Sequence, residues 1–394
     1  MTTERLYYTD SYLTSFRATV AEAADGGRKV YLDRTAFYPT SGGQPFDTGR
    51  LGSSRVTDVV DEGERIAHLV DNPLGPGPVE GSVDWDRRFD HMQQHTGQHL
   101  LSAVLTDQYG YRTVSVHFGT DVSTLDLETG SVTPEEIRSA EAAANRIVAE
   151  NRLVSIAFED AALATGLRKA SERAGTIRVV TIADLDRSAC GGTHVRATGE
   201  IGAILIRRVE RVKKQIRLEF VCGARAIGRA RADFELLSSM AGAASAAIED
   251  LPALLEKLRQ DLKTADLGRR EVEAQLNLHL ARDLYHQTSP DATGVRRIVQ
   301  QTEVGSLESL RGLAQAVTGL PKAIFLGTVA SPPTLLVATS EDSGIDAGAL
   351  LKPVLAELGG RGGGSARAAQ GTVPSQDALD QALARLDRVI GGRG

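Results

Sequence analysis

Three histidines recur at four-residue intervals in the segment His91-Met-Gln-Gln-His95-Thr-Gly-Gln-His99. On an α-helix this spacing stacks the imidazoles on one face, about one turn apart. A second short segment, Cys190-Gly-Gly-Thr-His194, follows further along the chain. The chain has only 2 cysteines and 8 histidines, so the two segments together hold one of the cysteines and half of the histidines. This clustering predicts a metal site.

Zinc prefers neutral imidazoles and a thiolate in a tetrahedral array. His95 and His99 can direct two nitrogens at one ion, and Cys190 and His194 can complete the set from a second element. The two glycines between Cys190 and His194 allow the tight backbone that so short a loop needs. A histidine pair at this spacing is by itself more often a polar helix face. The two pairs together favour a metal.

The chemical role of the ion stays open at this point. Four protein ligands normally close a structural zinc site, whereas a catalytic ion needs an open position for water or substrate. His91 is a further candidate ligand and does not decide between them. One ligand could be displaceable, the ion could take a fifth ligand, or it could only organise the site. Our hypothesis is an ion that positions or activates water for hydrolysis of an ester.

The elements that position these residues indicate a multidomain α+β protein. Residues 1–86 show short alternating segments and predict a small β-barrel. Residues 87–230 mix helical and strand patterns and form the α+β domain that carries the zinc site. Residues 231–290 have the pattern of a long helical connector, and residues 291–394 alternate strand and helix as a C-terminal α/β domain. The apolar seam at 251–265 fits packing within one chain and dimerisation equally well.

Two glycine-rich stretches stand out. Thr40-Ser41-Gly42-Gly43-Gln44 suits a tight turn that lets a ligand approach closely, although a plain hairpin explains the glycines as well. The stretch 359–371 reads as a loop before a helix, which could present N–H groups to phosphate or serve as a flexible linker.

The composition of the chain limits the classes of protein to which it can belong. With 394 residues and 41% apolar residues, the chain needs neither disulfides nor metals to build a core. No apolar run is long enough to cross a bilayer, and the N-terminus lacks the apolar core of a signal peptide, so the cytoplasm is the expected compartment. The net charge of −6 argues weakly against nucleic acid. A basic run at 205–231 argues for phosphate contacts, although a solvated surface explains it equally well.

Three motifs resemble a known family in type, order and spacing. They are Asp33-x-Thr-x-Phe-Tyr with Gly42-Gly-Gln, His95-Thr-Gly-Gln-His99-Leu-Leu, and Cys190-Gly-Gly-Thr-His194. They resemble the editing half of alanyl-tRNA synthetases, and still more the freestanding AlaX alanyl-tRNA deacylases. The stretch 359–371 resembles the glycine-rich signature of the DHH-associated domain, which the long AlaX forms carry at the C-terminus.

The resemblance implies a hydrolase that removes serine or glycine from mischarged tRNA(Ala). It implies one zinc ion held by His95, His99, Cys190 and His194, and no protein nucleophile. Amino-acid activation is not expected, because the chain starts at the barrel. Residues expected to position the substrate are Gln98, which stands where the synthetases often have Thr, and Thr40, Ser41, Gly42, Gly43 and Gln44.

The resemblance also implies tRNA contacts and leaves two rivals. The expected tRNA-binding residues are Arg207, Arg208, Arg211, Lys213, Lys214, Arg217, Arg361 and Arg367. A homodimer would form through the helix at 251–280 or the C-terminal domain. A phosphoesterase would need an Asp-His-His cluster, which the sequence lacks. A tRNA-binding protein with a structural zinc and no hydrolytic activity remains the alternative.

Overall fold

The computed structural model describes residues 2–168, 175–302 and 307–391. The chain divides into two compact units, the first ending at Ala243 and the second beginning at Ala244. Among the described residues, no helix combines the length and the apolar character that crossing a membrane requires.

The first unit opens with a closed β-barrel, as predicted. Alternation of buried and exposed residues along the second strand places Phe16, Ala18 and Val20 in the barrel core. The barrel order is β2-β3-β7-β6-β5-β8, and β2 closes it by pairing antiparallel with β8. The strands of this region are β1 (Glu4–Arg5), β2 (Ser15–Ala24), β3 (Lys29–Leu32), β4 (Arg34–Thr35), β5 (Gly49–Leu51), β6 (Ser54–Asp61), β7 (Ile66–Val70) and β8 (Gly77–Val83).

The helix that carries the three histidines, α1 (Trp85–Tyr109), follows the barrel directly and is the central element of this unit. All residues of its segment 91–105 are buried, and it ends at Gly110, whose φ of 71° suits a left-handed C-cap. Its first turns are fixed to the barrel by Arg88, a fully buried guanidinium that bonds the Asp47 carboxylate at 3.0 Å. A buried charge needs such a partner, so this ion pair sets where α1 lies against the barrel.

Two antiparallel sheets pack around α1. One has the order β14-β15-β10-β9 and the other the order β11-β12-β13. Helix α2 begins with a complete capping box between Thr133 and Glu136. The elements are β9 (Thr113–Phe118), β10 (Ser123–Leu127), α2 (Pro134–Ala149), β11 (Val154–Asp160), β12 (Thr176–Ile182), β13 (Asp186–Ala189), β14 (Ile204–Val212), β15 (Gln215–Cys222) and α3 (Gly223–Ala244).

The second unit is a five-stranded mixed sheet with helices. The sheet order is β16-β17-β18-β20-β19, in which only the β16–β17 pair is parallel. Leu255, Leu258 and Leu262 of the long helix are 56–72% exposed, so packing within the second unit does not cover the predicted seam. The elements are α4 (Leu251–Gln287), β16 (Arg296–Thr302), α5 (Leu307–Thr318), β17 (Ala323–Val329), β18 (Thr334–Thr339), α6 (Ala347–Glu357), β19 (Arg361–Gly364), β20 (Ala368–Thr372) and α7 (Gln376–Gly391).

Two sequence-based predictions of local structure are wrong. The helical segment predicted to begin at residue 231 begins at Gly223, directly after β15. The glycine-rich stretch 359–371 is not a loop but the hairpin β19–β20 at the edge of the sheet. A Cβ at Gly362 or Gly364 would collide with the facing backbone of β20, so the glycines serve close strand pairing.

Candidate metal centre

The four predicted ligands come together in the structure. The ligand atoms of His95, His99, Cys190 and His194 all lie within 4.8 Å of one another. The Cys190 Sγ lies 3.4 Å from the His95 Nε2 and 3.3 Å from the His194 Nε2. His91 does not belong to this group, although it shares the helix face.

Close backbone approach makes the cluster compact. The turn that carries Cys190 and His194 follows β13 and runs directly over α1. Its residue Gly192 lies against the imidazole of His95, where a Cβ would collide with the ring. Glycine at this position therefore permits contact between the turn and the helix. At Gly191, by contrast, an added Cβ would meet only the Tyr8 side chain, at an ordinary van der Waals distance of 3.6 Å from its hydroxyl oxygen.

Each histidine of the cluster has its Nδ1 atom held by another side chain. The His95 Nδ1 bonds the Gln44 Oε1 at 2.9 Å. The His99 Nδ1 bonds the Asp186 Oδ2 at 3.0 Å, and the His194 Nδ1 bonds the Thr96 Oγ1 at 3.1 Å.

With the three Nδ1 atoms engaged, the Nε2 atoms are left to face the centre of the cluster. This arrangement fixes ring orientation and is the usual outer sphere of metal-bound histidine. Three imidazoles and one thiolate also match the donor set that zinc prefers. The residues therefore fit a zinc ion.

The electrostatics of the cluster favour a thiolate. Burial alone would raise the pKa of the Cys190 thiol, but the neighbouring His95 and His194 hold the pKa well below its ordinary value. Burial lowers the pKa of His194 to about 3, so this imidazole is neutral and can offer a lone pair. Burial opposes the charged form of His99 as well, but the Asp186 carboxylate raises the pKa of this imidazole and makes it a stronger donor.

Of the predicted substrate-positioning residues, the two glutamines are buried, whereas Thr40 and Ser41 are exposed. Gln44 is fully buried, donates to the Thr193 hydroxyl and holds His95, so its contacts are those of a support for the centre. Gln98 is also buried and donates to the Ser102 hydroxyl at 2.7 Å. Thr40 and Ser41 are exposed on the turn that ends at Gln44. The two glycines of that turn have φ values of 57° for Gly42 and 85° for Gly43, which favour glycine.

The predicted tRNA-binding residues differ in their surroundings. Three arginines of the sheet form ion pairs: Arg207 with Asp233, Arg208 with Glu210 and Arg217 with Asp126.

The remaining basic residues are solvent-exposed. Arg211, Lys213 and Lys214 lie at the tip of the β14–β15 hairpin. In the second unit Arg361 is exposed on β19, and Arg367 lies 3.5 Å from Glu341.

Sequence reasoning missed three residues around the centre. Asp186 and Thr96 hold the Nδ1 atoms of His99 and His194, and both lie within four residues of a ligand. A search for polar residues beside the ligand motifs would have found them. Arg178 is buried and donates to the carbonyl of Cys190 at 2.7 Å, while its Nη2 has no partner among the described residues. No motif marks Arg178, because its role depends on strand pairing.

Two family models match this chain. Residues 177–218 match the model described as the Threonyl and Alanyl tRNA synthetase second additional domain, which covers the Cys190–His194 turn. Residues 299–392 match the DHHA1 domain.

Similar proteins fall into two kinds. Alanine–tRNA ligases of Pyrococcus abyssi and Thermococcus kodakarensis are 33% and 34% identical over 98% and 99% of this chain. The chain spans only 44% of the length of these ligases. The C-Ala domain of Aquifex aeolicus alanyl-tRNA synthetase is 22% identical over 25% of this chain and 93% of its own, at a TM-score of 0.23, too weak a likeness for any argument.

A relative of nearly equal length is the alanyl-tRNA editing protein AlaX-L of Pyrococcus horikoshii. It is 31% identical over 408 residues, which cover 97% of this chain and 98% of the relative. Since the two match along almost their whole lengths and the two domain models agree, the chain belongs to the family of AlaX-L alanyl-tRNA editing proteins.

Proposed function

We propose that this chain is a trans-editing hydrolase that deacylates mischarged tRNA(Ala). The substrates would be Ser-tRNA(Ala), Gly-tRNA(Ala) or both, and the products free amino acid and intact tRNA. The observation that carries the proposal is the compact group His95, His99, Cys190 and His194, with each histidine held at its Nδ1 atom. The family membership supports the same activity.

One zinc ion per chain would supply Lewis acidity toward the ester carbonyl or an attacking water. The chain's own contribution is to hold the donors in place. Gln44, Asp186 and Thr96 keep the three rings oriented, and Gly192 lets the Cys190 turn approach α1. Four protein donors fill a tetrahedron, so entry of water would require a fifth ligand or displacement of one donor.

Removal of the metal tests the proposal directly. We expect the zinc-loaded protein to release labelled serine from Ser-tRNA(Ala), chelation to abolish the release, and stoichiometric zinc to restore it. Circular dichroism of both forms is the control for folding. Full release by the metal-free protein would overturn the role of the ion. Zinc binding and tRNA binding without release by the loaded protein would instead support a tRNA-binding module with a structural zinc.

Discrimination of the amino acid is proposed for the turn before Gln44. The Thr40 hydroxyl oxygen already accepts from the Phe46 backbone N–H at 3.1 Å, so its proton is left to donate to a serine hydroxyl. A site that bonds a hydroxyl rejects an analogue without it. We expect Thr40→Val to lower the rate ratio of Ser-tRNA(Ala) to Gly-tRNA(Ala) deacylation. An unchanged ratio, with Thr57→Val on a barrel strand as the matched control, would remove Thr40 from this role.

Binding of the tRNA body is proposed for the basic residues. The exposed Arg211, Lys213 and Lys214 at the β14–β15 tip form no ion pair with the described residues and suit phosphate contacts. Arg361 and Arg367 would add contacts from the second unit. We also propose a homodimer that forms through the exposed seam of α4 or through the C-terminal domain.

A further inference from the structure

A cavity of about 530 Å³ lies in the first unit, beside the metal centre but outside its donor set. Its volume falls within the rough range of 300–1,000 Å³ that is typical of small-molecule sites. The cavity is walled by α1, by the end of β9 and the loop after it, and by the start of α3. Nothing in the proposed metal chemistry uses these walls.

The cavity wall includes a buried histidine that has an unpartnered ring nitrogen. His91 lines the cavity and is only 3% exposed, and its Nδ1 atom has no hydrogen-bond partner among the described residues. Burial lowers the pKa of His91 to about 4, so the ring is neutral and carries one N–H and one lone pair. A buried polar atom without a partner costs free energy. A ligand that bonds it would remove this cost.

The charges of the wall argue for an uncharged ligand. Arg87 and Arg225 are balanced by Asp86 and Asp90, so the lining carries no net charge from these groups. Arg225 is also fully engaged, because it holds Asp90 at 2.6 Å and donates to the carbonyl of Gly119 at 2.7 Å. Arg87 donates its Nε to the Phe46 carbonyl at 3.0 Å and forms no ion pair among the described residues, but the two aspartates of the lining leave the wall without the net positive charge that would select a phosphate.

The non-polar part of the wall suits a flat ring. Phe118 and Pro45 line the cavity beside the imidazole of His91. Aromatic and apolar side chains with a few polar atoms are the usual environment of an unpaired nucleobase. The lining therefore favours a heteroaromatic base over an anion.

The cavity and the metal centre share a wall. Phe118 lines the cavity, and its ring centroid lies 4.9 Å from that of His95. The backbone N–H of Phe118 also donates to the carbonyl of Gly43 at 3.2 Å, in the turn proposed to contact the substrate. One residue thus separates a site for the ester from a site for a neighbouring group of the same substrate.

We infer that this cavity holds the nucleobase of the 3′-terminal nucleotide of the acceptor end, with His91 as a specificity-determining contact. The inference rests on the proposed function, because the ester to be cleaved sits on the ribose of that nucleotide. A base seated against His91 and Phe118 would hold its own ribose at the metal centre. The imidazole can donate to a ring nitrogen or accept from an amino group of the base.

The test uses the zinc-loaded full chain and two stable probes. One is the 3′-amide of serine with 3′-amino-3′-deoxyadenosine, and the other is the same amide on the abasic sugar. Binding is measured by calorimetry for the parent, His91→Phe, and His91→Asn, whose amide can replace the Nδ1 atom. His68→Phe is the matched control, since His68 is a buried barrel histidine that does not line the cavity. Zinc content and thermal unfolding are recorded for each variant.

We expect removal of the base to weaken binding to the parent by roughly tenfold, the value of one good hydrogen bond with its packing. His91→Phe should weaken adenosine-amide binding by a similar factor and show little further loss with the abasic probe. His91→Asn should restore most of the affinity, and His68→Phe should behave like the parent.

Equal binding of the two probes by the parent would overturn the inference, even if no variant folded. Independent losses from base removal and from His91→Phe would also overturn it, because they would mean a merely structural role for the imidazole. Displacement of the amide by inorganic phosphate would assign the cavity to a phosphate instead. Failure of the proposed function is a separate result, namely absence of serine release from Ser-tRNA(Ala) by a protein that still binds the adenosine amide.

Discussion

At the residue scale, the zinc affinity of the site depends on the side chains that hydrogen-bond its ligands. Asp186 accepts from His99 and is itself held by Arg168 at 2.6 Å. We predict that Asp186→Asn lowers zinc affinity by roughly 10–100-fold, the usual effect of losing such a partner. Competition with a fluorescent chelator measures it.

Asp126→Asn is the matched control for this change. Asp126 is also a buried aspartate, and it is paired with Arg217 away from the cluster. Its loss should leave zinc affinity at the parental value. Equal zinc affinity in the Asp186 variant and the parent would show that the carboxylate does not support the ion.

Some residues of the site can be predicted from their spacing in the sequence, and others cannot. His95, His99, Cys190 and His194 were predicted from two short motifs, because donors a turn apart on a helix must share a face. Gln44 was predicted only to position substrate, although it bonds a ligand 51 residues away in sequence. Such pairings depend on how the barrel is set against α1. That arrangement rests on the buried Arg88–Asp47 pair, which no periodicity marks.

At the scale of elements, the turn between β13 and the second ligand pair has to approach α1 closely. We predict that Gly192→Ala disrupts the centre, because its Cβ would collide with the His95 ring, which a buried helix cannot move aside. The expected result is loss of stoichiometric zinc, measured by elemental analysis of the purified protein.

Gly191→Ala is the control for backbone effects in the same turn. A Cβ there meets only the Tyr8 side chain at an ordinary distance, so zinc binding should stay stoichiometric. If both variants bound zinc alike, the close contact between the turn and the helix would not limit the site.

Element types were predictable where a pattern is regular. The capping box of α2 and the alternation in β2 identify their elements locally. The β19–β20 hairpin was missed, because glycines carry no side chain from which to read a period. What makes 361–364 a strand is its hydrogen bonding to β20, and propensity alone disfavours glycine there. Hydrogen bonding between β19 and β20 therefore outweighs the low strand propensity of the glycines.

At the scale of the whole molecule, the two units divide the proposed work. The cluster, the cavity and the basic hairpin tip lie in the first unit, which has its own hydrophobic cores. The second unit carries Arg361 and Arg367 on a separate core. Chemistry should therefore persist without the second unit, whereas affinity for the tRNA body should not.

The prediction is that a fragment ending at Ala243 folds, binds one zinc and keeps the kcat of the full chain while its KM for Ser-tRNA(Ala) rises. Its logarithmic salt dependence should also become shallower. Two lost phosphate contacts would reduce the slope by roughly 2 at most, since each contact releases about one counterion. Steady-state deacylation across a range of salt concentrations measures both quantities.

The full chain with Arg361→Gln and Arg367→Gln should reproduce the change in slope with both units present. A parental slope in that double variant would move the tRNA contacts of the second unit to other residues, and a fragment that binds zinc but has lost its kcat would mean that the chemistry itself needs both units.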